Sequence, residues 1–70
     1  MISMIKKLDL HGIKHEDVDR LVENFVLLNN PPIRIITGNS NQMRDIVVEV
    51  LSRHDIEYEQ FKPSQITILK

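Results

Sequence analysis

The stretch KKLDLHGIKH, residues 6–15, joins a strand pattern to a helix pattern across a glycine. Leu8 and Leu10 alternate with polar residues, which is typical of a half-buried strand over about residues 6–10. Gly12 ends this run, and apolar residues at helical spacing then predict an amphipathic helix over about residues 15–29. A strand followed at once by a helical crossover predicts a parallel β-sheet.

The same order of strand, glycine and helix returns in IRIITGNSN, residues 33–41. The β-branched residues 33–37 predict a second strand, and a second helix follows to about residue 54, with Asn39 or Asn41 as its N-cap. IEYEQF, residues 56–61, and ITILK, residues 66–70, predict two closing strands with a turn at Pro63 and Ser64. The predicted order of elements is βαβαββ.

The predicted fold class is α/β, a two-layer sandwich with a four-stranded mixed sheet and both helices on one face. The crossover helix makes the first two strands parallel. Strand alternation assigns the remaining side chains to two faces. Those expected to point at the helices are Leu8, Leu10, Ile33, Ile35, Ile66 and Ile68, and those expected on the open face are Asp9, Arg34, Ile36, Glu57, Glu59, Thr67 and Leu69.

The composition limits the class of protein. Seventy residues fit one domain, residues 1–70, of which we expect 1–5 to be a loosely ordered N-terminal segment. The absence of cysteine excludes disulfides and thiolate metal sites, and no apolar run is long enough for a bilayer helix, so we expect a cytoplasmic protein without a membrane partner. A net charge of −1 provides no global attraction to nucleic acid, so any polyanion must bind a local patch.

The two glycines of the chain predict a site at one rim of the sheet. Ligands of open α/β sheets bind outside the carboxyl ends of parallel strands, where both glycine loops fall. Turn chemistry explains either glycine alone, and the pairing on one rim favours a site. Because the first helix begins with two acids, an anion should prefer the N-terminus of the second helix, with Lys14, Arg44 and Lys7 as candidate cations.

Asp9 and His11 are the candidate catalytic pair. Side chains two residues apart on an extended strand leave the same face, and a carboxylate beside an imidazole favours general acid or base chemistry. The same pair offers two ligands to a divalent metal, and the alternative role of Asp9 is to accept backbone hydrogen bonds from a neighbouring loop. His15 and His54 are interpreted as ordinary residues at helix ends.

LDLHG at residues 8–12, an amphipathic helix, a hydrophobic strand and TG at residues 37–38 before a second helix together resemble the Smr (small MutS-related) domain. The resemblance covers about residues 7–70. It implies a two-layer α/β sandwich similar to the C-terminal domain of translation initiation factor three. Asp9, His11 and Gly12 match the first motif of the family, and Thr37 and Gly38 match the start of its second loop.

Two positions depart from the family pattern. Ser40 replaces the second glycine of the loop, and Lys14 occupies a position where a serine or threonine cap is usual. We expect these departures to leave the fold intact and to bear on cleavage, because the loop is expected to cradle a backbone phosphate.

The resemblance implies a nucleic-acid-binding domain, with DNA or RNA as partner, and in several relatives an endonuclease that nicks DNA or cleaves RNA. Asp9 and His11 would then be catalytic, with Mg²⁺ or Mn²⁺ as an open question. The residues expected to bind nucleic acid are Gly12, Lys14, Thr37, Gly38, Asn39, Ser40 and Arg44. The alternatives are a noncatalytic nucleic-acid binder and a small protein-interaction adaptor, for which Ile36 and Leu69 on the open face would mediate docking or homodimerisation.

Overall fold

The computed structural model describes residues 5–70, so the expectation for the N-terminal segment falls, for residues 1–4, outside the described part. Over residues 5–70 the elements are β1 (Lys6–Asp9), α1 (His15–Leu28), β2 (Ile33–Ile36), α2 (Asn41–Arg53), β3 (Glu59–Lys62) and β4 (Gln65–Ile68). This confirms the βαβαββ order. No helix within residues 5–70 is long and apolar enough to cross a membrane.

The strands of residues 5–70 form one mixed sheet in the order β1-β2-β4-β3. β1 pairs with β2 in parallel, with Leu8 opposite Ile35, and β4 pairs antiparallel with both β2 and β3. The register of β3 with β4 shifts between Glu59 and Lys62. The predicted four-stranded mixed sheet, with its parallel first pair, is therefore confirmed.

The hydrophobic core lies between the sheet and the two helices. Of the side chains predicted to face the helices, Leu8 is half-buried and the others are buried. Both helices line the same core, so they cover one face of the sheet as expected. The buried apolar residues are Leu10, Val18, Val22, Ile33, Ile35, Met43, Val47, Val50, Leu51, Ile66 and Ile68.

Charged side chains join the two helices across their outer surface. Arg53 of α2 donates from both terminal nitrogens to Asp19 of α1, at 2.7 and 3.3 Å, and His54 Nε2 lies 2.8 Å from Glu23 Oε2. The hydrogen bond from Arg53 lowers the pKa of the Asp19 carboxyl. His54, which the sequence places at a helix end, thus also pairs α2 with α1.

The N-cap of α2 is Ser40, so the expected cap at Asn39 or Asn41 is wrong. Ser40 is extended, with φ −87 and ψ 115, and its hydroxyl accepts a hydrogen bond from Met43 N at 3.1 Å. Asn39 lies in the preceding turn with an exposed side chain, and Asn41 is the first helical residue. The serine that replaces the second glycine of the family pattern therefore starts the helix.

The strand predicted over residues 56–61 begins later, at Glu59, because Ile56 closes α2 instead. Asp55 has a φ of 54°, its N–H donates to Ser52 O at 3.1 Å, and Ile56 N donates to Leu51 O at 2.9 Å. This is the Schellman arrangement of a helix C-terminus, in which the apolar residue after the left-handed position packs back on the helix. Ile56 packs against the core accordingly.

The two faces of β2 can be compared through adjacent isoleucines. Ile35 has no exposed surface and Ile36, on the open face, is half-buried. We expect Ile35→Val to lower the free energy of unfolding by about 0.5–1.5 kcal/mol, since a core methylene is lost. Ile36→Val should change it by less than about 0.5 kcal/mol. Urea denaturation measures both, and equal losses would contradict the assignment of the faces.

Candidate functional site

The site lies where the loops that follow β1 and β2 meet at one end of the sheet. Leu10 N donates to Ile36 O at 3.0 Å, which extends the parallel pairing beyond β1, and Ile13 N then donates to Leu10 O at 3.1 Å to turn the chain. Both glycines have positive φ, 74° at Gly12 and 69° at Gly38. Glycine adopts this left-handed conformation without the penalty that a side chain brings.

The Asp9–His11 pair forms, but through a turn. β1 ends at Asp9, and Asp9 Oδ1 accepts hydrogen bonds from His11 N at 2.9 Å and from His11 Nδ1 at 3.0 Å. The condition that the strand stays extended through both residues is therefore not met, since His11 lies in a turn. Asp9 combines the two roles considered from the sequence, because the same oxygen caps the backbone of the turn and orients the imidazole.

His11 contacts the second glycine loop. A Cβ atom placed on Gly38 would lie 3.6 Å from His11 Nε2 and 3.8 Å from His11 Cε1. With Nδ1 directed at Asp9, the imidazole presents Nε2 on the side of Gly38. The carboxylate holds the ring in this orientation when Nδ1 carries the proton, and Nε2 is then the nitrogen that accepts one. His11 and Asp9 are both exposed, with 74% and 61% of their side-chain surfaces accessible.

The turn between β3 and β4 holds the Gly38 loop in place through hydrogen bonds to the backbone carbonyl of Ser64. Thr37 N at 2.9 Å, Gly38 N at 3.2 Å and Thr37 Oγ1 at 3.2 Å all lie within hydrogen-bonding distance of Ser64 O. Thr37 Oγ1 also lies 3.1 Å from Gly38 O, and Thr37 is 5% exposed. Thr37, predicted to bind nucleic acid, is thus buried, and its contribution to the site is to position Gly38.

Ser64 supports the Gly38 loop through its backbone, and the sequence does not mark it as a site residue. The sequence predicts a turn at Pro63 and Ser64, but the contribution of Ser64 is a backbone carbonyl, which any residue supplies. No side-chain signal therefore marks the position, and only the pairing of β2 with β4 brings it to Thr37.

Two of the predicted cations, Lys14 and Arg44, lie around this rim, whereas Lys7 lies in β1 on the open face of the sheet. Lys14 is the N-cap of α1, is exposed, and makes no side-chain cap hydrogen bond. Arg44 lies in the first turn of α2, with its Nη2 3.7 Å from Asp45 Oδ1. α1 has Glu16 and Asp17 in its first turn, whereas the first turn of α2 has no acid. The electrostatic preference expected for an anion at α2 is therefore retained.

Gly12 and Asn39 are exposed, and Gly38 and Ser40 are half-buried. All of them lie in the two loops that contain the candidate site. Within residues 5–70 the structure holds no cluster of three or more histidine, aspartate or glutamate side chains arranged for a metal ion.

The fold and this rim define a class: a small two-layer α/β sandwich with a polar site at the carboxyl ends of its parallel strands. More particularly, the chain has the fold of the Smr, or small MutS-related, domain. It is similar to the crystal structure of the human small-MutS related domain, with a TM-score of 0.61, 24% identity, and coverage of 90% of this chain and 99% of that one.

A second similar structure is the solution structure of the SMR domain of NEDD4-binding protein 2. Its TM-score is 0.63 at 23% identity, with coverage of 100% of this chain and 91% of that one. No protein-family model and no curated protein sequence matches the chain. The fold that the LDLHG and TG stretches implied is therefore confirmed by structure.

The hydrogen bonds of Asp9 predict its titration. Donation from the His11 backbone, followed by donation from the His11 ring, lowers the pKa of the Asp9 carboxyl below its ordinary value of 3.8. Because the folded-state pKa is the lower one, this carboxylate stabilises the fold at pH values above its unfolded pKa, and the contribution is lost as the pH falls through the folded pKa.

We expect His11→Ala to raise the pKa of Asp9, since the ring donor and its charge are removed while the backbone donor stays. His15→Ala, which changes an exposed histidine at the start of α1, is the matched control and should leave it unchanged. A carboxyl-carbon NMR titration measures both. An Asp9 pKa that is the same in wild type and His11→Ala would contradict the side-chain hydrogen bond.

Proposed function

We propose that the chain is a nucleic-acid-binding domain of the Smr family, and that it contacts a phosphodiester backbone at the rim formed by the two glycine loops. The observation that carries the proposal is the meeting of the LDLHG turn with the Gly38 loop, with His11 Nε2 directed towards Gly38. A left-handed glycine without a side chain lets a ligand approach the backbone of the loop closely, while the Gly38 N–H itself donates to Ser64 O.

Electrostatics supports the same rim. The N-terminus of α2 has a Ser40 cap for Met43 N, and its first turn contains Arg44 and no acid. Helix N-termini attract phosphate through free N–H groups and the helix dipole. Lys14, on the facing loop, adds a second cation. At a net charge of −1, such local contacts must supply the attraction, which makes the affinity sensitive to salt.

Binding is tested by titrating the labelled protein with DNA and RNA oligonucleotides and following amide shifts. We expect the shifts to concentrate in residues 9–15 and 37–44. Lys14→Ala and Arg44→Ala should weaken binding and each reduce the dependence of log K on log salt by about 0.7 for a single strand. Arg20→Ala, on an exposed face of α1, is the matched control. Shifts that avoid both segments would contradict the proposal.

A second candidate function, phosphodiester cleavage, is favoured by the Asp9–His11 hydrogen bond. In that reaction His11 Nε2 takes a proton from a water molecule, the water oxygen bonds to phosphorus, one ester P–O bond breaks, and the leaving oxygen takes a proton from solvent. Asp9 orients the ring and stabilises the imidazolium that forms. Asp9 and His11 would supply at most part of a metal coordination shell. The cleavage experiment therefore also tests whether Mg²⁺ or Mn²⁺ is required.

For cleavage, the purified protein is incubated with supercoiled and branched DNA and with structured RNA, with and without Mg²⁺ or Mn²⁺. If the pair is catalytic, His11→Ala should reduce the rate by about 10²- to 10⁴-fold, the range for loss of a general acid or base. Asp9→Ala should reduce it as well, and Arg20→Ala, on an exposed face of α1, should have no effect. Rates unchanged in both Asp9→Ala and His11→Ala would contradict the catalytic assignment, and binding without turnover would identify a noncatalytic binder.

A further inference from the structure

The open face of the sheet carries two adjacent cations outside the rim. Lys7 of β1 and Arg34 of β2 are register partners, and both lie on the face opposite the helices. Within residues 5–70 neither side chain has a carboxylate at ion-pair distance. Like charges on neighbouring strands repel each other, so this arrangement is unfavourable unless an anion lies across it.

Arg34 has a further unfavourable feature in the described part of the chain. Its Nε is buried and lacks a hydrogen-bond partner there, although the residue as a whole is only half-buried. Burying the N–H of a charged group without a partner costs more than burying a neutral side chain of similar size. Arginine at position 34 is therefore less favourable for the stability of the fold than a neutral side chain of similar size would be.

The helix layer has an excess of carboxylates, whereas the open face of the sheet has an excess of cations. A polyanion bound at the rim should therefore extend over the sheet. The helices α1 and α2 contain six carboxylates and three arginines, and each arginine lies within 3.7 Å of an aspartate. The strand residues on the open face carry three cations, Lys7, Arg34 and Lys62, against Asp9 and Glu59. Beyond the N-terminus of α2, the helices therefore repel a phosphate chain that leaves the rim, whereas the cations of the sheet attract it.

The cations also continue the rim in space. Lys7 precedes Asp9 by two residues on the same face of β1, which corresponds to about 6.6 Å along a strand. Arg34 lies beside Lys7 on the next strand, at the ordinary spacing of about 4.8 Å. A backbone that occupies the rim at His11 thus passes Lys7 and Arg34 if it continues across the open face.

We propose that the open face is an extension of the nucleic-acid site, and that Lys7 and Arg34 bind phosphates of a strand that continues from the rim. This inference rests on the proposed function and adds to it the path of the polynucleotide. The occupant is the phosphodiester backbone, because unpaired cations, rather than a continuous apolar patch, distinguish this part of the surface.

The test compares a trinucleotide with a dodecanucleotide of the same base, both single-stranded, by anisotropy at several salt concentrations. Lys7→Met and Arg34→Met should weaken binding of the dodecanucleotide and reduce its salt dependence by about 0.7 each, since each removes one phosphate contact. Binding of the trinucleotide should change less, because it reaches fewer of the cations beyond the rim. Lys6→Met is the matched control, because Lys6 is an exposed lysine of the same strand on the opposite face.

The outcomes separate this inference from the proposed function. Amide shifts at residues 9–15 and 37–44 with no effect of Lys7→Met or Arg34→Met on the dodecanucleotide would overturn the path and leave the rim as the site. Equal weakening by Lys6→Met and Lys7→Met would overturn it too, since general charge would then suffice. Absence of rim shifts with every oligonucleotide would overturn the proposed function itself. Concentration-dependent dimerisation through the open face would assign that face to a second copy and overturn the path.

Discussion

The parallel pairing of β1 with β2 is the constraint on which the site depends. Two strands in parallel end at the same edge of the sheet, so the turns that leave them are adjacent whatever their sequences. The hydrogen bond from Leu10 N to Ile36 O carries this register one residue beyond β1. The imidazole of His11 then reaches Gly38, although the whole of α1 and β2 lies between the two residues in sequence. A shift of β1 by one residue would direct Asp9 into the core.

The closing hairpin of β3 and β4 stabilises the loop that follows β2. β4 lies beside β2 in the middle of the sheet, and the turn before β4 presents the carbonyl of Ser64 to the backbone of Thr37 and Gly38. These donors are the groups that a β2 loop would otherwise leave without partners in a nearly buried position. Their hydrogen bonds to Ser64 O hold the backbone of Gly38 in its orientation at the rim. The closing hairpin therefore takes part in the geometry of the rim without providing a side chain to it.

Sequence patterns predicted the features that depend on periodicity and missed those that depend on local competition for hydrogen bonds. Alternation placed Ile35 and Ile36 on opposite faces because the strand period is fixed at two. By contrast, three polar residues in a row offered a cap for α2, and the pattern did not distinguish Ser40 from its asparagine neighbours. Ile56 belongs to a strand-like run, yet its N–H completes the end of α2. Where a residue fits both a strand pattern and a helix end, the contacts of the folded chain determine which structure it adopts.

The side chains of the candidate site were predictable from the sequence, but the backbone contacts that hold its loops in place were not. Asp9, His11 and Gly38 were identified because their residue types are informative at the end of a strand. Thr37 was identified through the resemblance to the Smr domain, and its hydrogen bond to Ser64, which lies 27 residues away, was not predictable from the sequence pattern. Alternation predicted Asp9, Arg34 and Glu59 on the open face but did not name Lys7 or Lys62 there. The isolation of the Arg34 Nε depends on the packing of its neighbours.

The exposure of the Asp9–His11 pair links binding to chemistry. In water, a hydrogen bond between an exposed carboxylate and an imidazole contributes little, because solvent competes for both groups. The same hydrogen bond strengthens when a ligand excludes solvent from it, since the local dielectric falls. Under the proposed function, a phosphodiester backbone across the rim would cover His11 and at the same time bring the reacting phosphorus to Nε2. The pair would then be activated only in the bound complex, so a polynucleotide held by several cations along the sheet would activate it more effectively than a short one.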